Sequence, residues 1–186
     1  MKKTVLTFGL ISGAISSFMM VALLPFADQI GFDNKGLILG YTTIVLSFLL
    51  VVFGIRSYRD NIGQEKISFG RAFTVGILIT LISCACYVVA WEIIYFKFRP
   101  DFGEKFAAHA IEQVRASSAS QQVVDAKIQE MKEFKAMYDN PLFNAAITFM
   151  EPFPIGLLIT LISAFIFSRK RDGAAVTNET KQRATA

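Results

Sequence analysis

Four long apolar stretches, separated by polar connections, dominate the pattern of hydrophobic and polar positions along this chain. Each stretch continues for about 20 residues with almost no charge, which is the helical length that crosses a hydrocarbon core of ~30 Å. The pattern therefore predicts four transmembrane helices, numbered here as spans 1 to 4. Their predicted ranges are residues 4–27, 36–55, 72–96 and 142–168.

The segment between spans 3 and 4, residues 97–140, has a different pattern, in which apolar residues recur twice at helical spacing around the polar sequence RASSAS. This predicts two amphipathic helices, and Ser118 with Gln121 has the spacing of a capping box for the second. The apolar positions are Phe102, Phe106, Ala110, Ile111 and Val114, followed by Val124, Ile128, Met131, Phe134 and Tyr138. Such stripes pack on a membrane surface, on the transmembrane bundle or on each other, and a surface for a protein partner over 102–138 is the alternative.

Composition agrees with a membrane protein, because 53% of residues are hydrophobic and 18% are charged, against roughly 25% charged in soluble domains. The lipid bilayer is therefore the first expected partner. Basic residues cluster beside the spans and not along one element, so nucleic-acid binding is not indicated. The fold class expected is an all-α membrane protein, with four transmembrane helices and an amphipathic helical segment between spans 3 and 4.

The basic clusters also predict the orientation, since Lys and Arg accumulate in short cytoplasmic segments. With four spans, the three clusters fall on one side, so both termini are expected in the cytoplasm and residues 97–140 outside it. The clusters are Lys2 and Lys3; Arg56, Arg59, Lys66 and Arg71; and Arg169, Lys170 and Arg171. Residues 1–171 are read as one integral membrane domain, and the small polar tail 172–186 as disordered and cytoplasmic.

One apolar phrase occurs twice, as VGILITLIS at 75–83 and as IGLLITLIS at 155–163. In each copy a glycine, a threonine and a serine at i, i+4 and i+7 share one helical face. They are Gly76, Thr80 and Ser83 in the first copy and Gly156, Thr160 and Ser163 in the second. Small and hydroxyl residues on one face are typical of interfaces between membrane helices, so these residues predict a packing seam.

Depth counting along antiparallel spans 3 and 4 predicts which residues of this seam meet. The expected pairs are Gly76 with Ser163, Thr80 with Thr160, and Ser83 with Gly156. Whether the repeated phrase records a duplication or chance similarity of common membrane residues stays open.

Glu151 is the most unusual residue of span 4, because a carboxylate inside a transmembrane helix is costly and is by default a functional candidate. Pro152 and Pro154 follow it and each lacks an N–H group, so the helix is expected to bend or break there. Asn144 and Thr148 continue a polar stripe from Glu151. The pattern indicates either an ion path or a kink whose carboxylate is locally hydrogen-bonded, and both interpretations stay open.

Glu92 is the second acid inside a span, beside Trp91 and Tyr95, whose rings are typical of membrane interfaces. At ~100° per residue, Glu92 and Glu151 both point away from the faces that carry the repeated phrase. We therefore expect the two acids to face spans 1 and 2 or residues 97–140, with Glu92 reaching water.

No motif typical of an enzyme, a metal centre or a cofactor site is recognisable in the chain. His109 is the one histidine, and it lacks clustered ligands for a metal site. Cys84 and Cys86 are two residues apart on a predicted helix and so point in different directions. The sequence therefore leads us to expect no catalytic residue, no metal and no cofactor.

Several landmarks together resemble one known family. In order they are GIRSYRD at 54–60, ISFGRAF at 67–73, WEIIY at 91–95, PDF at 100–102 and YDNPLFNAAITFMEPFPIGLLITLIS at 138–163. The chain resembles, up to about Arg171, the bacterial membrane proteins grouped as domain-of-unknown-function family 4199. This resemblance implies the same four-helix topology and a bacterial cytoplasmic membrane, and it carries over no activity and no catalytic residue.

Two functions fit these observations best, and a third possibility, a membrane enzyme, would require Glu92, Glu151 or His109 to converge on one pocket. The first is a non-enzymatic envelope interaction or assembly factor that contacts a protein partner, or a second copy of itself, through residues 102–138. The alternative is a small transporter or channel component that uses Glu151 at the proline-kinked helix.

Overall fold

The computed structural model describes residues 1–26, 30–32, 34–63 and 66–168, and each regular element within these ranges is a helix. The helices are α1 (Lys2–Leu23), α2 (Asn34–Asn61), α3 (Phe69–Ile93), α4 (Phe102–Ala116), α5 (Gln121–Tyr138), α6 (Pro141–Met150) and α7 (Pro152–Ser168). A 3-10 turn, Leu24–Phe26, extends α1, and a π-helical segment, Ile94–Phe98, extends α3. The expectations for Arg169, Lys170, Arg171 and the tail 172–186 concern residues outside these ranges.

Four helical stretches of the described chain are long and apolar enough to cross a membrane, which confirms the predicted fold class. Spans 1 to 4 are Lys2–Phe26, Gly36–Asn61, Phe69–Phe98 and Pro141–Ser168. Helix α2 continues past the predicted end of span 2 at Ile55, because the polar residues that follow are compatible with a helix. The end of an apolar window marks a change of surroundings and need not end the helix.

The spans pack as a bundle in which α3 is the central helix. Helix α1 packs on α2 and α3, and α7 also packs on α2 and α3, while α2 and α3 contact each other. The buried core lies where these four helices meet, and its largest fully enclosed side chains include Phe48, Val51, Ile55, Val75 and Ile79. This well-packed half is at the end of the bundle near Met1 and Ser168, which we call the termini side.

Helices α4 and α5 form an antiparallel pair at the opposite end of the bundle, called here the hairpin and the hairpin side. The connection between spans 1 and 2 reaches the hairpin, since the rings of Phe32 and Phe102 lie 5.3 Å apart, centroid to centroid. The two amphipathic helices predicted for this segment are therefore present, and one of them contacts a neighbouring connection.

The start of α5 differs from the prediction. Its N-cap residue is Ser120, which has extended backbone angles, and not Ser118. Ser118 has a φ of 58°, in the left-handed region, and it follows Ser117, the C-cap residue of α4. A left-handed residue directly after a helix is the usual way of ending one. Ser118 therefore ends α4, so the predicted capping box with Gln121 is wrong.

The seam between α3 and α7 contains the expected contact between the two threonines, since Thr80 Oγ1 and Thr160 Oγ1 lie 3.2 Å apart. Each glycine, however, lies against a threonine: a Cβ on Gly76 would be 2.7 Å from Thr160 Cγ2, and one on Gly156 would meet Thr80. The nearest neighbours of the two glycines therefore include these threonines and not the predicted partners Ser163 and Ser83. Side chains of packed helices interdigitate, so residues at equal depth need not stand opposite each other.

Ser83 contacts a different helix from the one predicted. Its hydroxyl oxygen lies 3.0 Å from Ser12 Oγ of α1, and Ser12 donates to the carbonyl of Ser47 on α2 at 2.9 Å. Three residues along a helix turn the side chain by ~60°, which takes Ser83 from the Thr80 side toward α1. Ser83 therefore joins α1, α2 and α3, and the seam with α7 is shorter than the repeated phrase suggests.

Gly76→Ala should lower the free energy of unfolding by about 1–3 kcal/mol, because the new methyl group overpacks the seam. Its Cβ would lie 2.7 Å from Thr160 Cγ2 and 2.8 Å from Ile55 Cδ1. Reversible denaturation in mixed micelles measures the change. Gly70→Ala is the matched control in the same helix, since its Cβ would meet nothing within 4 Å. Equal stability of the two variants would contradict the close approach.

Candidate functional site

Span 4 is interrupted at Glu151, where α6 ends and α7 begins. The break predicted at Pro152 and Pro154 is therefore confirmed. Because the two prolines lack N–H groups, the carbonyls four residues earlier, those of Thr148 and Met150, lose their helical donors. The two halves also have different neighbours: α7 packs on α2 and α3, whereas α6 packs on α3 and on α5 of the hairpin. The break thus separates a packed half of span 4 from a half directed to the hairpin.

A cavity of about 760 Å³ lies in the hairpin-side half, beneath α4 and α5. Side chains from all four spans form its walls, among them Leu23, Leu37, Trp91 and Ile147. Aromatic residues of the hairpin form its roof, and these are Phe102, Phe106 and Phe134. Its volume falls within the range of ~300–1,000 Å³ that is usual for small-molecule sites, and its walls are mostly apolar, as such sites are.

Glu151 is part of the cavity wall farthest from the hairpin, together with Tyr87 of α3. Counted at ~1.5 Å per residue from Pro141, it lies ~15 Å inside span 4. Tyr87 donates a hydrogen bond from its hydroxyl to Glu151 Oε2 at 3.2 Å. We call these two residues the floor of the cavity. The carboxylate is therefore anchored by span 3 and remains in contact with the cavity space.

Glu151 lines the cavity that spans 1 and 2 and the hairpin also line, in agreement with its predicted direction toward spans 1 and 2 or residues 97–140, and its hydrogen-bond partner belongs to span 3. Tyr87 is seven residues beyond Thr80 and so shares its helical face. One face of α3 therefore carries the packed seam on the termini side and the cavity floor on the hairpin side.

Asn144 and Thr148, predicted as functional polar residues beside Glu151, are buried within the protein. The Asn144 side-chain amide donates to the carbonyl of Tyr138 at 3.2 Å, and Thr148 donates to Asn144 Oδ1 at 3.2 Å. Their hydrogen bonds attach α6 to the end of α5. They therefore hold the hairpin in place and are absent from the cavity lining.

Aromatic residues of span 3 hold the hairpin from below. Trp91 donates from Nε1 to the hydroxyl of Tyr138 at 3.0 Å, and Tyr95 donates to Asp139 Oδ1 at 2.6 Å. From their residue types alone, Trp91 and Tyr95 are expected to lie at a membrane interface. These contacts join positions more than 40 residues apart, so no local pattern identifies them.

The charged residues of the roof form pairs. Asp101 accepts from Lys105 Nζ at 2.7 Å and from Arg99 Nε at 3.4 Å, and Lys135 Nζ lies 2.8 Å from Asp139 Oδ2. The hydrogen bond from Lys105 lowers the pKa of Asp101, and the hydrogen bond from Lys135 lowers the pKa of Asp139. Each of these basic groups therefore lies near a carboxylate, with Arg99 and Lys105 sharing Asp101.

Glu92 is absent from the residues that line the cavity. One of its oxygens, Oε1, is enclosed by protein and has no hydrogen-bond partner among the described residues. The expectation that this acid reaches water therefore fails for that oxygen.

His109 lines the cavity from α4, with its ring 5.7 Å from that of Phe32. Within the described ranges, no group of three or more His, Cys, Asp or Glu side chains is placed to hold a metal ion.

Fold and site together define an all-helical membrane protein with a hairpin-covered cavity and an acidic residue at its floor. Over residues 7–169 the chain matches the sequence profile of a family described as "Protein of unknown function (DUF4199)". The chain belongs to this family, which confirms the resemblance drawn from its sequence landmarks. No curated protein and no solved structure matches the chain.

Acid should loosen the docked hairpin, and Asp139 should account for part of this effect. Lys135 and Tyr95 hold the pKa of Asp139 below its ordinary value of 3.8. The stability that this carboxylate gives is therefore present above pH ~4 and lost as the pH falls through the lowered pKa. Fluorescence of Trp91, the chain's one tryptophan, follows docking during an acid titration.

Asp139→Asn should reduce the amplitude of this transition and weaken docking at neutral pH. Asp125→Asn, on the exposed side of the same helix, is the control and should retain the transition. An identical acid response in wild type and Asp139→Asn would contradict the role of Asp139.

Proposed function

We propose that the protein is a non-enzymatic, multi-pass envelope protein of the bacterial cytoplasmic membrane that binds a small amphiphilic molecule in the hairpin-covered cavity. In this proposal both termini are cytoplasmic and the hairpin is extracytoplasmic. The basic clusters at Lys2 and Lys3 and at Arg56 to Arg71 support that orientation, since they fall on the termini side.

The cavity is the observation that carries the proposal. It is about 760 Å³ in volume, has apolar walls, and has polar groups at both ends. Glu151 and Tyr87 form the end within the bilayer, and Lys105 and Lys135 line the end at the hairpin. A ligand with an apolar body and a polar group would match this distribution, because apolar walls supply most of the contact area and a few polar groups fix its orientation.

The contacts of the hairpin support a role as the cover of this cavity. Phe106 of α4 packs on Phe134 of α5 with ring centroids 6.2 Å apart, and Phe102 packs on Trp91 of span 3 at 4.9 Å. The apolar stripes over 102–138 therefore pack against each other and against span 3. An envelope protein or a second copy would have to contact the outward faces of the hairpin, where Val123 is 51% exposed.

Filling the cavity should abolish binding. Gly40 lines the cavity and a Cβ there would meet nothing within 4 Å, so Gly40→Phe should extend a ring into the space without displacing a neighbour. The probe is dodecyl maltoside brominated in mid-chain, titrated into wild-type protein in phosphatidylcholine nanodiscs. Bromine quenches a nearby indole, so Trp91 in the cavity wall reports occupancy.

Wild type should show a saturable quenching component above the linear background from bilayer partitioning. Gly40→Phe should raise the half-saturating mole fraction at least about tenfold, equivalent to ~1.4 kcal/mol. Gly70→Phe, whose Cβ also meets open space but outside the cavity, is the matched control and should bind as wild type does. Purely linear quenching of wild type would refute the proposed function.

A small transporter or channel component is the second candidate function, and the interruption of span 4 is the observation that favours it. Transporter sites commonly lie near the bilayer midplane beside discontinuous helices. Glu151 meets that description, since it separates α6 from α7 and lines the cavity. In this case the packed termini-side half would have to open during transport.

Glu151→Gln should then reduce a proton- or ion-dependent flux in liposomes at least about tenfold, as expected for a carboxylate that carries the transported charge. Glu92→Gln is the control, because Glu92 is an acid of span 3 that does not line the cavity. Equal fluxes from wild type, Glu151→Gln and empty liposomes would exclude transport through this residue.

A further inference from the structure

Glu151 is an acid without a basic partner among the described residues. Its contact there is the hydroxyl of Tyr87, and no ion pair involves it. Carboxylates inside transmembrane segments are rare and nearly always pair with a cation or mark a pathway. Glu151 is exposed to the cavity, so its further partner is water, a proton or a positively charged group that enters the cavity.

The charges at the two ends of the cavity differ. At the roof, Lys105 and Lys135 are matched by Asp101 and Asp139, within 2.8 Å in each case. At the floor, the carboxylate has one phenol as its neighbour. These two lysines therefore do not require a negatively charged group on the ligand. The carboxylate at the floor, in contrast, is a site for a positively charged group.

The residues around Glu151 suit an organic cation better than a metal ion. Mg²⁺ and Ca²⁺ take about six or more oxygen ligands, and one carboxylate with one phenol supplies fewer. An ammonium group needs an acceptor and favours aromatic neighbours, which stabilise cations through their ring faces. Tyr87 and Trp91 are four residues apart on α3, and both line the cavity with Glu151.

We propose that the ligand of the cavity is an amphiphile with an ammonium group, and that Glu151 binds this group at the floor between Tyr87 and the broken end of α6. The proposal rests on the cavity being the binding site, and it adds the charge of the ligand. The apolar body would occupy the space between the floor and the aromatic roof.

Three probes with the same mid-chain-brominated dodecyl tail separate charge from hydrophobic binding: dodecylamine, laurate and dodecyl maltoside. Each is titrated at pH 7 into protein in zwitterionic nanodiscs, with Trp91 quenching as the readout. In wild type, the amine should reach half-saturation at a mole fraction at least about tenfold below that of the other two probes. Glu151→Gln should abolish this preference, so that in this variant the amine and the maltoside reach half-saturation at similar mole fractions.

Glu92→Gln is the matched control and should retain the preference for the amine. Equal binding of all three probes, stronger binding of laurate, or an amine preference that survives Glu151→Gln would each overturn the inference while the cavity proposal stands. If no probe gives saturable quenching, the cavity proposal fails and the inference with it.

Discussion

The missing N–H groups of Pro152 and Pro154 are the constraint on which the rest of the structure depends. A helix cannot continue unchanged through two residues that lack donors and crowd the preceding turn. Span 4 therefore divides into α6 and α7, which pack against different neighbours.

The two halves of the bundle are packed through different kinds of side chains. Lipid gives no hydrophobic drive for helices to associate, so close contact depends on small residues and interhelical hydrogen bonds. On the termini side, Gly76, Thr80, Gly156 and Thr160 provide such contact between α3 and α7. On the hairpin side the same face of α3 bears the aromatic residues Tyr87 and Trp91, which line the cavity.

The hairpin is attached by polar contacts as well as by its apolar stripes. Trp91 and Tyr95 donate hydrogen bonds to Tyr138 and Asp139, at the end of α5, and Asn144 binds the carbonyl of Tyr138 from the other side. Burial raises the pKa of Tyr138, as expected for a phenol enclosed between span 3 and α6. The junction of α5 and α6 is therefore attached to the spans by several hydrogen bonds, and α4 packs against the hairpin through aromatic side chains.

The sequence by itself determined the four spans, the two helices between spans 3 and 4, the break beside Glu151 and the contact of Thr80 with Thr160. Each follows from local chemistry: apolar length, helical period, a proline's missing donor, or small residues on one face. Tertiary structure alone decided that Ser83 contacts Ser12, that Tyr87 binds Glu151, and that a cavity opens above them. These outcomes depend on how side chains from different helices interdigitate, which the period of a single helix does not encode.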